Sequence, residues 1–109
     1  MRKQKAIKFD ADKVQYSDIP PHTLEQVAKV FNYGAKKYTK FNYNGGMEYL
    51  RYYDAALRHM QAWVRGEDID ESGNPHIAHA ISSLMMLLEN INLGVGVDNR
   101  FKKIKNKKR

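Results

Sequence analysis

The chain has 109 residues, no cysteine and a formal charge of +7, with 42% of its residues hydrophobic. That length supports one domain with a modest core, and the lack of thiols excludes disulfides, thiolate zinc sites and cysteine nucleophiles. No apolar run reaches the roughly 18 to 20 residues needed to span a bilayer, and the basic start leads into Phe9-Asp-Ala-Asp rather than an apolar stretch. The expectation is an unexported, cytoplasmic protein with no membrane partner.

The charge is unevenly placed. Arg100 to Arg109 holds seven of the nineteen basic residues and no acid, and Arg2, Lys3, Lys5 and Lys8 hold four more. Between Phe9 and Asn99, eight basic residues face twelve acidic ones, so the body is net acidic. A specific nucleic-acid reader needs its basic side chains on a rigid, groove-shaped element. This distribution instead predicts one helical domain over residues 1–99 and a basic solvating tail over 100–109. Nucleic acid is expected as a partner only weakly, through that tail and with a steep salt dependence.

Residues 7–20 alternate only partly and end at Pro20-Pro21, which suits an extended arm or a small hairpin. Leu24, Val27, Ala28, Phe31, Ala35 and Tyr38 then recur at three and four, the spacing of one helix face, with His22 or Thr23 near the start. Asn42, Asn44 and Gly45-Gly46 turn the chain. In a second helix Leu50, Tyr53, Leu57, Met60 and Val64 form an apolar stripe, and Arg51, Asp54, Arg58, Gln61 and Arg65 form a polar one a position further round. Arg65 and Gly66 end it.

After an acidic connection, Asn74 as N-cap and Pro75 in the first turn open a third helix. Its apolar residues, from Ile77 to Ile91, cover most of the circumference, so it must be buried on nearly all sides. Two partner helices in so short a chain can hardly cover it. The predicted fold is therefore all-α, a three-helix domain with an extended N-terminal arm, assembled as a homo-oligomeric helical bundle. Gly94 and Gly96 end the third helix.

The connection carries the chemistry. Residues 66–79 read GEDIDESGNPHIAH and hold four of the carboxylates and two of the four histidines. His76 and His79, three apart on the first turn of the third helix, rise on one face. Glu67, Asp68, Asp70 and Glu71 immediately precede that turn, close enough for carboxylate oxygen to converge with imidazole nitrogen. Hard divalent cations prefer such oxygens, and added imidazoles move the preference towards manganese, iron or zinc. The alternative is a solvated acidic loop favoured by the helix dipole. His59 alone reads as a hydrogen-bonded core histidine. Arg51 and Arg58, seven apart on one face, have the forks to bind phosphate oxygens, and Trp63 and the tyrosines can stack a base or pack a core. Lys36 and Lys37 carry little functional weight, since cations are favoured at a helix C-terminus anyway. There is no Gly-rich phosphate loop or nucleophile elbow, so covalent catalysis has no candidate.

Several ordered stretches carry a resemblance: Lys8-Phe-Asp-Ala-Asp-Lys-Val, Ile19-Pro-Pro, Tyr33-Gly-Ala-Lys-Lys-Tyr38, Arg51-Tyr-Tyr-Asp-Ala-Ala-Leu-Arg-His59, Ala62-Trp63, Gly66-Glu-Asp-Ile-Asp70, Glu71-Ser-Gly73 and His76-Ile-Ala-His-Ala80. The sequence resembles the phage-type dATP/dGTP diphosphohydrolase family, of its small N-terminal domain type. The resemblance implies an all-helical domain similar to the helical nucleoside triphosphate pyrophosphatases, which use a divalent metal to release pyrophosphate and leave a monophosphate. Those enzymes set acidic pairs on facing helices, where this chain has histidines.

The resulting expectation is metal-dependent hydrolysis of a purine deoxynucleoside triphosphate in the host cytoplasm, with Mg2+ or Mn2+ as cofactor. In it Glu67, Asp70, Glu71, His76 and His79 hold the metal. Glu67, Glu71 and His59 serve catalysis, and Arg51, Arg58, Lys8, Asp10 and Trp63 bind the nucleotide. The other reading is a non-catalytic module that sequesters a nucleotide, which needs the arginines and aromatics but not the metal set.

Overall fold

A computed structural model describes residues 5–101, and its helices are α1 (Pro21–Lys37), α2 (Tyr49–Val64) and α3 (His76–Leu93), with short 3-10 turns at Tyr16–Asp18 and Asn42–Gly45. The described residues form no strand beyond two isolated bridges, so the all-α expectation stands. No helix is long and apolar enough to cross a membrane. Residues 102–109, most of the predicted basic tail, lie outside the described residues.

The arm, residues 5–20, is exposed throughout, and besides the Tyr16–Asp18 turn it has one in which the Lys13 amide donates to the Asp10 carbonyl at 3.0 Å. Lys8 and Asp10 are on it. Helix α1 starts one residue earlier than His22, with Pro21 in the first turn, where its missing N–H costs nothing. Its last turn carries Lys36 and Lys37 beside the carbonyl end.

Helices α2 and α3 run antiparallel, as two contacts fix: Tyr52 near the start of α2 meets Asn90 near the end of α3, and His59 meets His76 at its start. The contact line on α2 is Tyr52, Ala56 and His59, and on α3 it is His76, Ala80, Ser83 and Asn90. This corrects the sequence expectation. The apolar stripe of α2 is displaced by one residue, about 100°, from the line that faces α3, and Tyr53, Leu57 and Val64 are 51%, 42% and 65% exposed. Small side chains at Ala56, Ala80 and Ser83 let the two backbones approach, and the larger residues stay outside.

Helix α1 crosses the other side of α3, where Val27, Val30 and Ala78 form the buried apolar cluster with Phe31 and Ile81 packed on it. The core is thin: of the buried apolar residues among those described, only Val27, Val30 and Tyr52 are larger than alanine. Each buried valine contributes about 1.5 kcal/mol or more, and an alanine much less.

Beyond α3 the chain folds back along the entry to α2. Gly94, left-handed at φ 70°, ends the helix, the Val97 amide donates to the Met47 carbonyl at 3.1 Å, and the Tyr49 amide donates to the Val97 carbonyl at 2.8 Å. Gly46 and Gly96 meet here. A Cβ on Gly96 would lie 2.6 Å from the Met47 carbonyl oxygen, and φ is +86°, a region that L side chains avoid.

Candidate metal centre

The acidic connection is a closed turn. The Asp70 amide donates to the Asn74 carbonyl at 3.0 Å, the Gly73 amide to the Asp70 carbonyl at 2.9 Å, and the His76 amide to the Asp68 carbonyl at 2.9 Å. Asn74 is not the N-cap of α3; Pro75 takes that place. The Asn74 amide and side-chain nitrogens donate instead to Ser72 Oγ at 3.3 and 3.2 Å, and the Ser72 amide donates to Asp70 Oδ1 at 2.8 Å. The turn thus aims the Asp70 carboxylate at the start of α3.

Three histidines meet it there. Nδ1 of His59 and Nδ1 of His76 are 2.8 Å apart. The His79 ring stacks on His59, with centroids 4.5 Å apart and planes 11° apart. Nε2 of His79 lies 3.1 Å from Asp70 Oδ2 and 2.9 Å from Ser72 Oγ. Because the Ser72 hydroxyl donates to Asp70 Oδ1, this ring nitrogen faces two acceptors and carries the proton. One ligand atom each of His59, Asp70 and His76 fall within 4.8 Å of one another.

The electrostatics suit a cation. Burial foremost, and then the His79 and His76 rings, hold the His59 imidazole below its ordinary value, which favours the neutral ring. Burial by itself would raise Asp70, but hydrogen bonds from the Ser72 hydroxyl and amide, with the electrostatic pull of the neighbouring His79 and His59 rings, hold it below the usual carboxylate range. His76 is 7% exposed, and its Nε2 has no hydrogen-bond partner. Glu67 Oε2 lies 3.3 Å from that atom but outside hydrogen-bonding geometry, so it acts there as a neighbouring charge.

Of the residues singled out from sequence, His59, Glu67, Asp70, His76 and His79 come together. Glu71 is exposed on the same turn, and its charge reaches Lys37. Arg58 is on the α2 face turned away from α3, in an open depression of about 490 Å³ that it shares with Asp54, Leu57, Gln61 and Arg65. Its charge still reaches His59. Arg51 is exposed and pairs loosely with Glu48 at 3.8 Å. Trp63 is 43% exposed.

Two residues that carried little functional weight in the sequence, Tyr33 and Lys37, stand at the rim. The Tyr33 ring meets His79 edge-on at 6.5 Å, and Lys37 Nζ sits 5.9 Å from the centre of that tyrosine ring. The available signal was their spacing: four apart on the last turns of α1, they share a face.

The comparisons with known proteins give the family. Residues 3–100 match the family model described as dATP/dGTP diphosphohydrolase, N-terminal. The chain is also 38% identical over 95 residues to a protein of Salmonella phage PMBT28 named dATP/dGTP diphosphohydrolase, across 86% of this chain and 32% of that protein. It therefore spans about a third of the length of that relative. No solved structure matches it. With nearly every described residue inside the family model, the chain belongs to the dATP/dGTP diphosphohydrolase N-terminal family.

Proposed function

We propose that the chain hydrolyses a purine deoxynucleoside triphosphate, dATP or dGTP, to the monophosphate and pyrophosphate, with a divalent cation at the histidine–aspartate centre. The observation that carries this reading is the convergence of His59, Asp70 and His76, in a family whose relative is named for that substrate pair. The water oxygen bonds to the α-phosphorus. The bond from that phosphorus to the α–β bridging oxygen breaks, pyrophosphate leaves with that oxygen, and the water proton passes to a base.

The donors present fit a cation: two imidazoles, one ionised carboxylate and a buried ring nitrogen without a partner. When bound, the cation would neutralise phosphate charge and acidify water. The chain itself supplies the remaining groups. Glu67 and Glu71, both open to solvent, would take the proton. Lys37 at the rim, and Arg58, whose charge reaches His59 from the outer face of α2, would supply positive charge to the phosphates. Tyr33 and Trp63 offer flat faces to the base, and the exposed Arg51, Lys8 and Asp10 would complete the nucleotide contacts.

The test is product identification after incubating the protein with each deoxynucleoside triphosphate across a panel of divalent metals. Monophosphate and pyrophosphate from dATP or dGTP are expected. Every nucleotide surviving intact in every metal would end this reading.

The same reading includes self-association. The contact-line residues of α2, Tyr52, Ala56 and His59, are each followed by a stripe residue, Tyr53, Leu57 and Met60. On α3, His76, Ser83 and Asn90 are followed by Ile77, Leu84 and Ile91, while Ile81, which follows Ala80, packs on the cluster shared with α1. In an antiparallel pair, displacement in one sense of rotation puts both stripes on the same side of the pair. That side is a two-helix apolar face with Leu84, Leu88 and Ile91 at 51%, 58% and 50% exposure. A second copy turned by a twofold offers the matching face, and four antiparallel helices close into a bundle. At about 24 Å of helix length and two helix widths, such an interface removes on the order of 1,000 Å² from water, the lower end for a specific pair.

A further inference from the structure

We propose that His59, His76 and Asp70 are the direct ligands of one borderline transition-metal ion, in the class from manganese to zinc, with Glu67 and His79 as an outer ring that orients them. The proposal deepens the hydrolase reading by fixing the ligand set and the metal class.

The first ground is the facing pair of Nδ1 atoms at 2.8 Å. Two Nδ1–H groups cannot point at each other at that separation, so either one proton is shared or a cation takes both lone pairs. Two nitrogens bound at about 2.1 Å to one metal stand about 3.0 Å apart at a right angle and about 3.4 Å apart in a tetrahedron, so the pair need open by only a few tenths of an ångström to take an ion. The second ground is the outer ring. A histidine that gives Nδ1 to a metal carries its proton on Nε2 and needs an acceptor there. For His76 that atom is buried and without a hydrogen bond, and Glu67 Oε2, on an exposed side chain free to rotate, is 3.3 Å away. Asp70 is likewise held, through Ser72 and His79.

The third ground is chemical class. Magnesium favours oxygen donors and keeps most of its water. Two imidazoles and one carboxylate, brought from α2, α3 and the turn, suit zinc, cobalt, iron or manganese.

The experiment is titration of the full, chelator-stripped chain with Co2+, read by its visible absorption, and with Zn2+, Mn2+ and Mg2+, read by calorimetry. One ion per chain is expected, with Co2+ and Zn2+ bound at least about a hundredfold more tightly than Mg2+. His59→Ala and His76→Ala should abolish the cobalt band, and Glu67→Gln and His79→Ala should weaken binding about 10- to 100-fold. Helical circular dichroism is recorded throughout, and Asp70→Asn, which keeps the side-chain shape, is the ligand variant read if either alanine variant loses its helices. Cobalt affinity unchanged in the ligand variants, or magnesium bound as tightly as zinc, would overturn the assignment. A chain that binds cobalt at these residues yet cleaves no nucleotide defeats the hydrolase reading alone. One that cleaves dATP with Mg2+ and ignores cobalt defeats only the metal assignment.

Discussion

Nδ1 of His59, in the middle of α2, faces Nδ1 of His76, the first residue of α3, at 2.8 Å. Two titratable rings joined head to head act as one unit, so their removal is not additive. His59→Ala and His76→Ala are each expected to lower kcat/KM for dATP or dGTP by at least about a hundredfold, and the double variant by little more than either single one. Losses that multiply in the double variant would show the two rings acting separately.

At the other end of the same helix pair, the buried Tyr52 hydroxyl donates to Asn90 Oδ1 at 2.6 Å, and Asn90 Nδ2 donates to the Tyr43 carbonyl at 2.9 Å. Tyr52→Phe leaves Asn90, at 0% exposure, with an unsatisfied acceptor and should cost about 1 to 3 kcal/mol in denaturant unfolding. Burial, above all, raises the Tyr52 pKa from its ordinary 10.0. Above pH 10 the unfolded chain therefore releases a proton that the folded chain keeps, and stability falls as pH rises. The phenylalanine variant should lose that part of the alkaline slope.

Lys37 and Tyr33 test the α1 side of the site. Lys37→Ala should raise KM for the nucleotide about tenfold or more, the loss of one charged hydrogen bond, with kcat less affected. Tyr33→Leu should raise KM while Tyr33→Phe does not, if the ring face rather than the hydroxyl meets the base. Steady-state kinetics of the three variants decide it.

The exposed stripes make a prediction about assembly. Leu57→Glu combined with Leu88→Glu puts like charges on the α2–α3 face, and sedimentation equilibrium should show a lower mass than the parent chain while the helical signal persists. A parent chain that already sediments as a monomer would refute the second copy.

Gly96→Ala tests the junction of the two chain segments. Its Cβ would meet the Met47 carbonyl at 2.6 Å in a backbone region at φ +86°, so a loss of about 1 to 3 kcal/mol is expected in thermal or denaturant unfolding. A variant as stable as the parent would show the junction to be loose.

What the sequence determined by itself was the set of elements: three helices, their breaks at Gly45-Gly46, Gly66 and Gly94, and an acidic turn beside two histidines. Those follow from spacing and backbone preference, which are local. Periodicity shows that a stripe exists but not which of two adjacent stripes is buried, and α2 buries the one with Ala56 because close approach of the helices depends on small residues on both partners. The centre was also only half legible. Asp70 and His79 are near in sequence, but His59 joins them from 17 residues before His76, through the antiparallel return of α3 along α2. Only the tertiary structure decides such a meeting, because the distance between two helices is set by the packing of their side chains and by the hydrogen bonds that close the turn between them.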